Sequence, residues 1–384
     1  MTYHKFFADQ VFDGFGVQES RVLILDEQGT VQELVSAEEA GDDIIHLNGM
    51  LTPGLINAHC HLELSHMKGR IPEGTGLVDF VFKVVTERQL AEEMIQEAIG
   101  KAEAEMIANG IVAVGDICNN DSTLGQKELQ HLNYYNFVEA SGWLPDVALP
   151  RIERAKSLAT HFARFDQGHT AVVPHAPYSV SEALWQKLQP LFKDRIVSIH
   201  NQETRFEDEL FKKGSGDFSR MYQLMNMDTT HFEPSGRSSL QTYFSKLSEA
   251  SKRILVHNTF TQQEDLDFIR KQEQWETTWF CLCINANQYI ERAVPPVKML
   301  RRNGSKIVLG TDSLASNRSL NIMDEIKTFH DYFPDIPLPE MLQWATLNGA
   351  EALGFGALLG SFEKGKRPGV NLLDPDTFQI RKLA

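Results

Sequence analysis

A chain of 384 residues with 42% apolar side chains can bury a large core, which excludes disordered and collagen-like classes and suits one large catalytic domain with a small satellite. Its formal net charge of −15 would repel a phosphate backbone, and no cluster of Lys and Arg overrides that charge locally, so nucleic acid is not an expected partner. The N-terminus, MTYHKFFADQVFDGFGV, has no charged segment leading into an apolar one, and no stretch approaches the roughly 18 apolar residues of a membrane span; a cytoplasmic protein without a membrane partner is expected. The four cysteines, Cys60, Cys118, Cys281 and Cys283, are too few for a disulfide framework, and none forms a CxxC pair.

In chain order, RVLILDEQGTVQELV, with a turn near Gly29, predicts a hairpin outside the main domain. From position 51 onward short apolar runs recur, most of them followed by a helix-like stretch, the pattern of βα units around a parallel sheet. The runs are LTPGLINAH (51–59), IVAVGDI (111–117), YYNFVEA (134–140), TAVVPHAP (170–177), RIVSIHN (195–201), RILVHNTF (253–260), TWFCLCINAN (278–287) and KIVLGTDS (306–313). Eight such runs predict an α/β fold, a distorted (β/α)8 TIM barrel, over 51–355. The closing stretch GSFEKGKRPGVNLLDPDTFQI is again strand-like. Chain ends tend to lie close together, so 1–50 and 356–384 are expected to pair into a small, discontinuous, β-sandwich-like domain. The piece over 204–250 is too long for a simple connection and is expected to carry helices that cover the site.

Barrel enzymes keep their chemistry at the carboxyl ends of the strands. Here the first run ends His59-Cys60-His61, the fourth carries His175, the fifth His200 followed by Glu203, the sixth His257 and the eighth Asp312. Residues two apart on a strand share a face, so His59 and His61 can converge on one ion while Cys60 packs into the core. His200 and Asp312 complete a nitrogen and oxygen donor set suited to one divalent ion, zinc or alternatively iron(II).

The stretch LTPGLINAHCHLELS resembles the first-strand signature of the amidohydrolase superfamily. HNQE (200–203), LVHN (255–258) and LGTDS (309–313) are similar to the later motifs of its aminohydrolase branch, which holds cytosine, guanine, S-adenosylhomocysteine and aminofutalosine deaminases and triazine chlorohydrolases. The resemblance implies that His59, His61, His200 and Asp312 are metal ligands, Glu203 a proton shuttle, and His257 the residue orienting the attacking water, with Asp312 taking that water's proton. It also implies that His175 lies beside the substrate, and homodimers are common in the branch. No lysine closes the fourth run, where binuclear relatives carry a bridging one, so a single ion is expected.

Glu63, two residues past His61, would face the site if the strand continued that far, offering a carboxylate to a substrate amine or to ribose hydroxyls; a salt bridge to Lys68 or Arg70 is the alternative. Arg205, Glu207 and Asp208 read as solvated charges. CLCINAN departs from the branch's CPxSN, which puts substrate contacts near Asn287 in doubt. The function these residues suggest is hydrolytic deamination of an aminopurine nucleoside-like or related heterocyclic small molecule, of aminofutalosine or adenosine type. The alternatives are a chlorohydrolase or amidase on the same site, or a non-catalytic metal-binding protein.

Overall fold

The computed structural model describes residues 2–164 and 168–384. Strands β1 (Tyr3–Phe12), β2 (Val17–Asp26), β3 (Val31–Ser36) and β4 (Ile45–Pro53) come first. The β2–β3 pair is the predicted hairpin, with Asp26 Oδ1 accepting from the amides of Gln28 and Thr30, both at 2.9 Å, around Gly29 at φ +78°. Eight parallel strands follow. They are β5 (Leu55–Cys60), β6 (Ile111–Cys118), β7 (Asn133–Ala140), β8 (Thr170–Pro174), β9 (Ile196–Asn201), β10 (Lys252–His257), β11 (Thr278–Leu282) and β12 (Lys306–Leu309). The chain closes with β13 (Val370–Leu373) and β14 (Ile380–Lys382).

Six strands from the two chain ends share one sheet, in the order β14-β13-β4-β1-β2-β3. β4 bridges the two ends of the chain: it lies parallel to β1 on one side and antiparallel to β13 on the other. The eight central strands form two parallel four-stranded sheets, β5-β6-β7-β8 and β9-β10-β11-β12. Their near-continuous apolar runs are what strands covered on both faces require. The sheets also meet at two places. The His175 carbonyl accepts from the His200 amide at 3.0 Å, and the His59 carbonyl accepts from the amides of Thr311 and Asp312 at 3.0 and 3.1 Å. A side-chain clamp supports the second junction: Asn57 Nδ2 donates to Thr311 Oγ1 at 2.7 Å, and the Thr311 amide donates back to Asn57 Oδ1 at 3.1 Å.

That junction needs Gly310. A Cβ there would lie 2.8 Å from His59 Cβ and 2.9 Å from Cys281 Sγ, inside normal contact distance on both sides. Gly310→Ala is therefore expected to force β12 away from β5 at an overpacking cost of about 1–3 kcal/mol. Thermal unfolding should show a melting temperature several degrees lower; an unchanged one would mean that the junction is not tight.

Several expected strands end earlier than their apolar runs. In TWFCLCINAN the strand stops at Leu282 and a helix, Ile284–Glu291, takes over, with Ala286 and Asn287 on its buried side. The apolar run continued because that helical face is buried too, a case in which periodicity over so few residues does not separate strand from helix. At the other end LTPGLINAH spans two elements, since Leu51–Pro53 belongs to β4 and the first central strand starts at Leu55.

The 204–250 segment carries the helices Arg205–Lys213, Phe218–Leu224 and Ser239–Tyr243. Leu210, Phe211, Phe218, Met221 and Tyr222 join Leu64, Leu77, Phe80, Trp143 and Tyr178 in an apolar cluster separate from the main core. Glu207 does not behave as a solvated charge. It is fully buried and accepts from the Gln202 amide at 3.0 Å and from Ser239 Oγ at 2.6 Å, while Asp208 Oδ1 accepts from the Ser239 amide at 3.0 Å. Gln202, just past β9, also donates from Nε2 to Asp208 Oδ1 at 3.2 Å, so both acidic side chains tie the segment to the end of that strand, a role invisible in a run of polar residues. Among the described residues no helix is long and apolar enough to cross a membrane.

Candidate active site

His59, His61, His200 and Asp312 come from three strand ends, yet their donor atoms all lie within 4.8 Å of one another. His61 Nε2 is 3.2 Å from His200 Nε2, and Asp312 Oδ1 is 3.3 Å from His61 Nε2 and 3.5 Å from His59 Nε2. Four donors about 2.0–2.1 Å from a tetrahedral ion would sit about 3.3 Å apart, so the spacing fits a divalent cation. Hydrogen bonding supports the same fit. His200 Nδ1 donates to the His175 carbonyl at 2.8 Å, so a neutral His200 would present its Nε2 lone pair to an ion. Both nitrogens of His59 and Nδ1 of His61 are buried without a hydrogen-bond partner, and each such atom costs about 1–3 kcal/mol unless something satisfies it. Asp312 is steered by Ser316, whose hydroxyl donates to Oδ2 at 2.5 Å and leaves Oδ1 toward the imidazoles.

The backbone takes unusual forms at these strand ends. Asp312 has φ +57° and His257 φ +73°, a left-handed conformation that costs a non-glycine residue roughly 1–2 kcal/mol. Such outliers persist where surrounding bonds over-determine them and are concentrated at functional sites. At Asp312 the Thr311 and Asp312 amides are both held by His59, and Asn317 Nδ2 donates to the Thr311 carbonyl at 2.8 Å and to Glu325 Oε1 at 2.8 Å.

His257 and Glu203 stand beside the four donors. His257 Nδ1 is 2.9 Å from Asn287 Oδ1 and donates to it, so Nε2, 3.6 Å from Glu203 Oε1, faces the site as an acceptor. Burial outweighs the Asp312 carboxylate and lowers the His257 imidazole to about 3, so it is neutral near pH 7. Burial also pushes the Glu203 carboxyl well above the usual carboxylate range; Asp312 and Glu291 add to this against the pull of His200. A carboxyl that holds its proton more tightly than usual beside an imidazole of lowered basicity is a pair able to exchange protons. Asp312 is the opposite case. Burial alone would raise it, but the surrounding imidazoles, His59 first, hold it well below the usual range as an anion.

Glu63 reaches the site by a different route from the one expected. The strand stops at Cys60, and the chain turns into a 3-10 helix, Leu62–Met67, anchored where the Leu62 amide donates to Asp116 Oδ1 at 2.8 Å. Asp116 in turn pairs with the buried Lys127 at 2.5 Å. Glu63 makes no pair with Lys68 or Arg70: its Oε2 accepts from the amides of Asn119 and Asn120 at 2.9 and 3.2 Å, and its buried Oε1 has no partner. Burial lifts this carboxyl to about 7 against those backbone donors. His175 sits beside His200, ring centroids 4.7 Å apart, with Ser179 Oγ 2.9 Å from its Nδ1.

Sequence reasoning missed two residues here. Asn287, doubted as a substrate contact, is the hydrogen-bond partner of His257. Glu139, at the end of YYNFVEA, lies 3.3 Å from His200 Nδ1. A lone carboxylate closing an otherwise apolar strand was the available signal.

The amidohydrolase family model matches residues 50–383, most of the chain. The chain belongs to the amidohydrolase family. Among curated proteins it is 27% identical to an adenosine deaminase of Helicobacter pylori over 331 residues, covering 83% of this chain and 78% of that protein. Among solved structures it resembles the aminofutalosine deaminase of Helicobacter pylori in complex with methylthio-coformycin, with a TM-score of 0.81 at 24% identity over 97% of this chain and 92% of that one. It also resembles an adenosine deaminase of Xanthomonas campestris with bound zinc, with a TM-score of 0.70 at 20% identity over 96% and 84%. These likenesses establish a shared fold.

In this amidohydrolase three of the four donors, His61, His200 and Asp312, line a cavity of about 450 Å³, with His59 fully buried behind them. Glu63, His175, Glu203 and His257 line the same cavity. Val81, Val84, Leu158, Met221 and Met225 form apolar walls farther out, so the 204–250 segment contributes to the enclosure as its length suggested. Arg88, Arg151 and Arg154 also line it.

Proposed function

We propose that this amidohydrolase releases ammonia from 6-aminopurine nucleosides, with His59, His61, His200 and Asp312 holding one zinc ion. In this reading Glu203, His257 and Asp312 handle protons, and Glu63 and His175 contact the substrate. The scaffold is read as one distorted (β/α)8 barrel over 51–355, supported by the two edge junctions between the parallel sheets. The six-stranded sheet supports reading 1–50 and 356–384 as a small β-domain.

The observation that carries the proposal is the facing set of three imidazoles and a carboxylate, with Glu203 Oε1 and His257 Nε2, 3.6 Å apart, at its edge. The curated relative named an adenosine deaminase supports the substrate class. A divalent ion bound by such a set supplies Lewis-acid activation that brings the pKa of water toward 7. The rest falls to the chain's own groups. Asp312 accepts a proton from the attacking water, and the His257 Nε2 lone pair accepts a hydrogen bond that keeps the water oxygen on line with C6 of the purine. Glu203 donates its proton to N1 as the C–O bond forms, then, ionised, passes the proton held by Asp312 to the amino group. The C–N bond breaks and ammonia leaves, while the remaining hydroxyl proton passes to the ionised Glu203, restoring it and making C6 a carbonyl.

The cavity's shape supports a substrate larger than a base. Beyond the reacting end, Glu63 Oε1 is an unused buried acceptor suited to a sugar hydroxyl, and Trp143 Nε1 is an unused buried donor. The apolar walls suit a 5′ substituent. Among the described residues none of the three lining arginines makes an ion pair, in a chain of net charge −15, which favours an acidic end on that substituent. Ammonia release should therefore be fastest from 5′-extended adenosine derivatives of the aminofutalosine type, slower from adenosine, and up to about 10⁴-fold slower from free adenine, because a site built around hydroxyls leaves its own polar groups unpaired when they are missing. Zinc-loaded protein that ignores every purine nucleoside but hydrolyses cytosine, a chlorotriazine or a simple amide would overturn the assignment.

A further inference from the structure

Glu139 has no place in the proton transfers above, yet it is a buried carboxylate next to a metal-ligand candidate. Its side chain is 1% exposed; Oε1 is 3.3 Å from His200 Nδ1, and Oε2 accepts from Asn119 Nδ2 at 3.0 Å. Among the described residues it pairs with no lysine or arginine. A carboxylate taken out of water without a compensating charge costs several kcal/mol, and the one basic group paired with Glu139 among the described residues is the His200 imidazole.

The His200 Nδ1 hydrogen lies between the His175 carbonyl at 2.8 Å and the Glu139 carboxylate at 3.3 Å, while Nε2 points at His61 Nε2, 3.2 Å away. The carbonyl is enough to set the tautomer. What Glu139 adds is charge. A full negative charge on the far side of an imidazole makes the opposite nitrogen a better donor, and Glu139 and Asp312 together carry the two negative charges that neutralise a divalent cation.

We propose that Glu139 is a positioning and charge-balancing residue, acting through the His200 imidazole to set how tightly this site holds a divalent cation. The proposal rests on the metal reading given above. It assigns Glu139 no contact with reacting atoms, although the residue lines the cavity.

The test is a zinc affinity measurement on the full chain, stripped with a chelator and titrated against a chromophoric competitor. Glu139→Gln keeps the shape and the hydrogen-bond acceptor but removes the charge. It should weaken zinc binding about 10–100-fold, while the metal-free melting temperature stays near the parent's and turnover recovers as zinc is raised to saturation. Glu139→Asp, which retains the charge one methylene farther back, should lie between the two, and it keeps the test open should the glutamine variant not fold. Zinc binding as tight as the parent's in both variants would overturn the proposal. So would a Glu139→Gln defect that appears only as a raised KM, because Glu139 would then be a substrate contact. A folded parent that binds no divalent ion, with His200→Ala indistinguishable from it, would instead overturn the metal reading itself, and this proposal with it.

Discussion

Glu203→Gln is expected to lose about 10²–10⁴-fold in kcat, the usual contribution of a general acid–base group, while keeping its metal and its fold. Burial pushes the Glu203 carboxyl well above the usual carboxylate range, which favours the form that can donate to a ring nitrogen and then carry a proton to the departing amine. A glutamine amide fills the same space and can donate a hydrogen bond, but it cannot release a proton and take one back. Stability should change little, since the glutamine keeps the shape of the buried side chain and removes no ion pair with lysine or arginine seen among the described residues. The measurement is steady-state ammonia release by parent and variant at matched zinc content, with melting temperatures compared. Parental turnover by the variant would remove Glu203 from the mechanism.

Asp312→Ala or His59→Ala should go further and abolish both metal retention and turnover. Each removes one of four donors whose atoms lie within 4.8 Å of one another, and three donors hold a divalent ion much less tightly than four. Asp312 is the more severe loss because it is the only anion among the four, and its removal leaves the left-handed backbone at φ +57° without the carboxylate that Ser316 steers. Elemental analysis of purified protein should give close to one divalent ion per parent chain and well under that for either variant. Two tightly held ions per parent chain would contradict a mononuclear site. A variant that keeps its metal would remove that residue from the ligand set.

The order in which strands and helices alternate was legible because parallel strands buried on both faces must be apolar along their whole length, and this chain repeats such runs eight times. The same runs exposed the site. A histidine or aspartate is costly at the end of an apolar strand unless it has work to do, so His59, His61, His175, His200, His257 and Asp312 stood out against their neighbours. The hairpin around Gly29 and the excess length of 204–250 were legible for equally local reasons: a turn that needs a positive φ, and a connection longer than packing requires.

Other features depended on contacts between residues far apart in the chain. The Asn57–Thr311 clamp joins positions 254 apart, and neither residue type suggests the other. Glu207 belongs to a polar run and is nonetheless buried, because Gln202 and Ser239 supply its hydrogen bonds only after the segment folds back on β9. INAN continues an apolar run but forms a helix, since the second face it needs to bury is provided by the helix Ile322–Tyr332, where Glu325 accepts from the Asn285 amide and Thr328 Oγ1 donates to Asn285 Oδ1. By itself the sequence determined which residue types close each strand, and with them the donor chemistry of the site. The tertiary structure alone decided which nitrogen of His200 and of His257 faces inward, that Glu63 arrives on a helical turn, and that Glu139 stands behind His200. The reason is that residue identity sets what a side chain can donate or accept, whereas the direction in which it does so depends on partners that only the folded chain brings within hydrogen-bond reach.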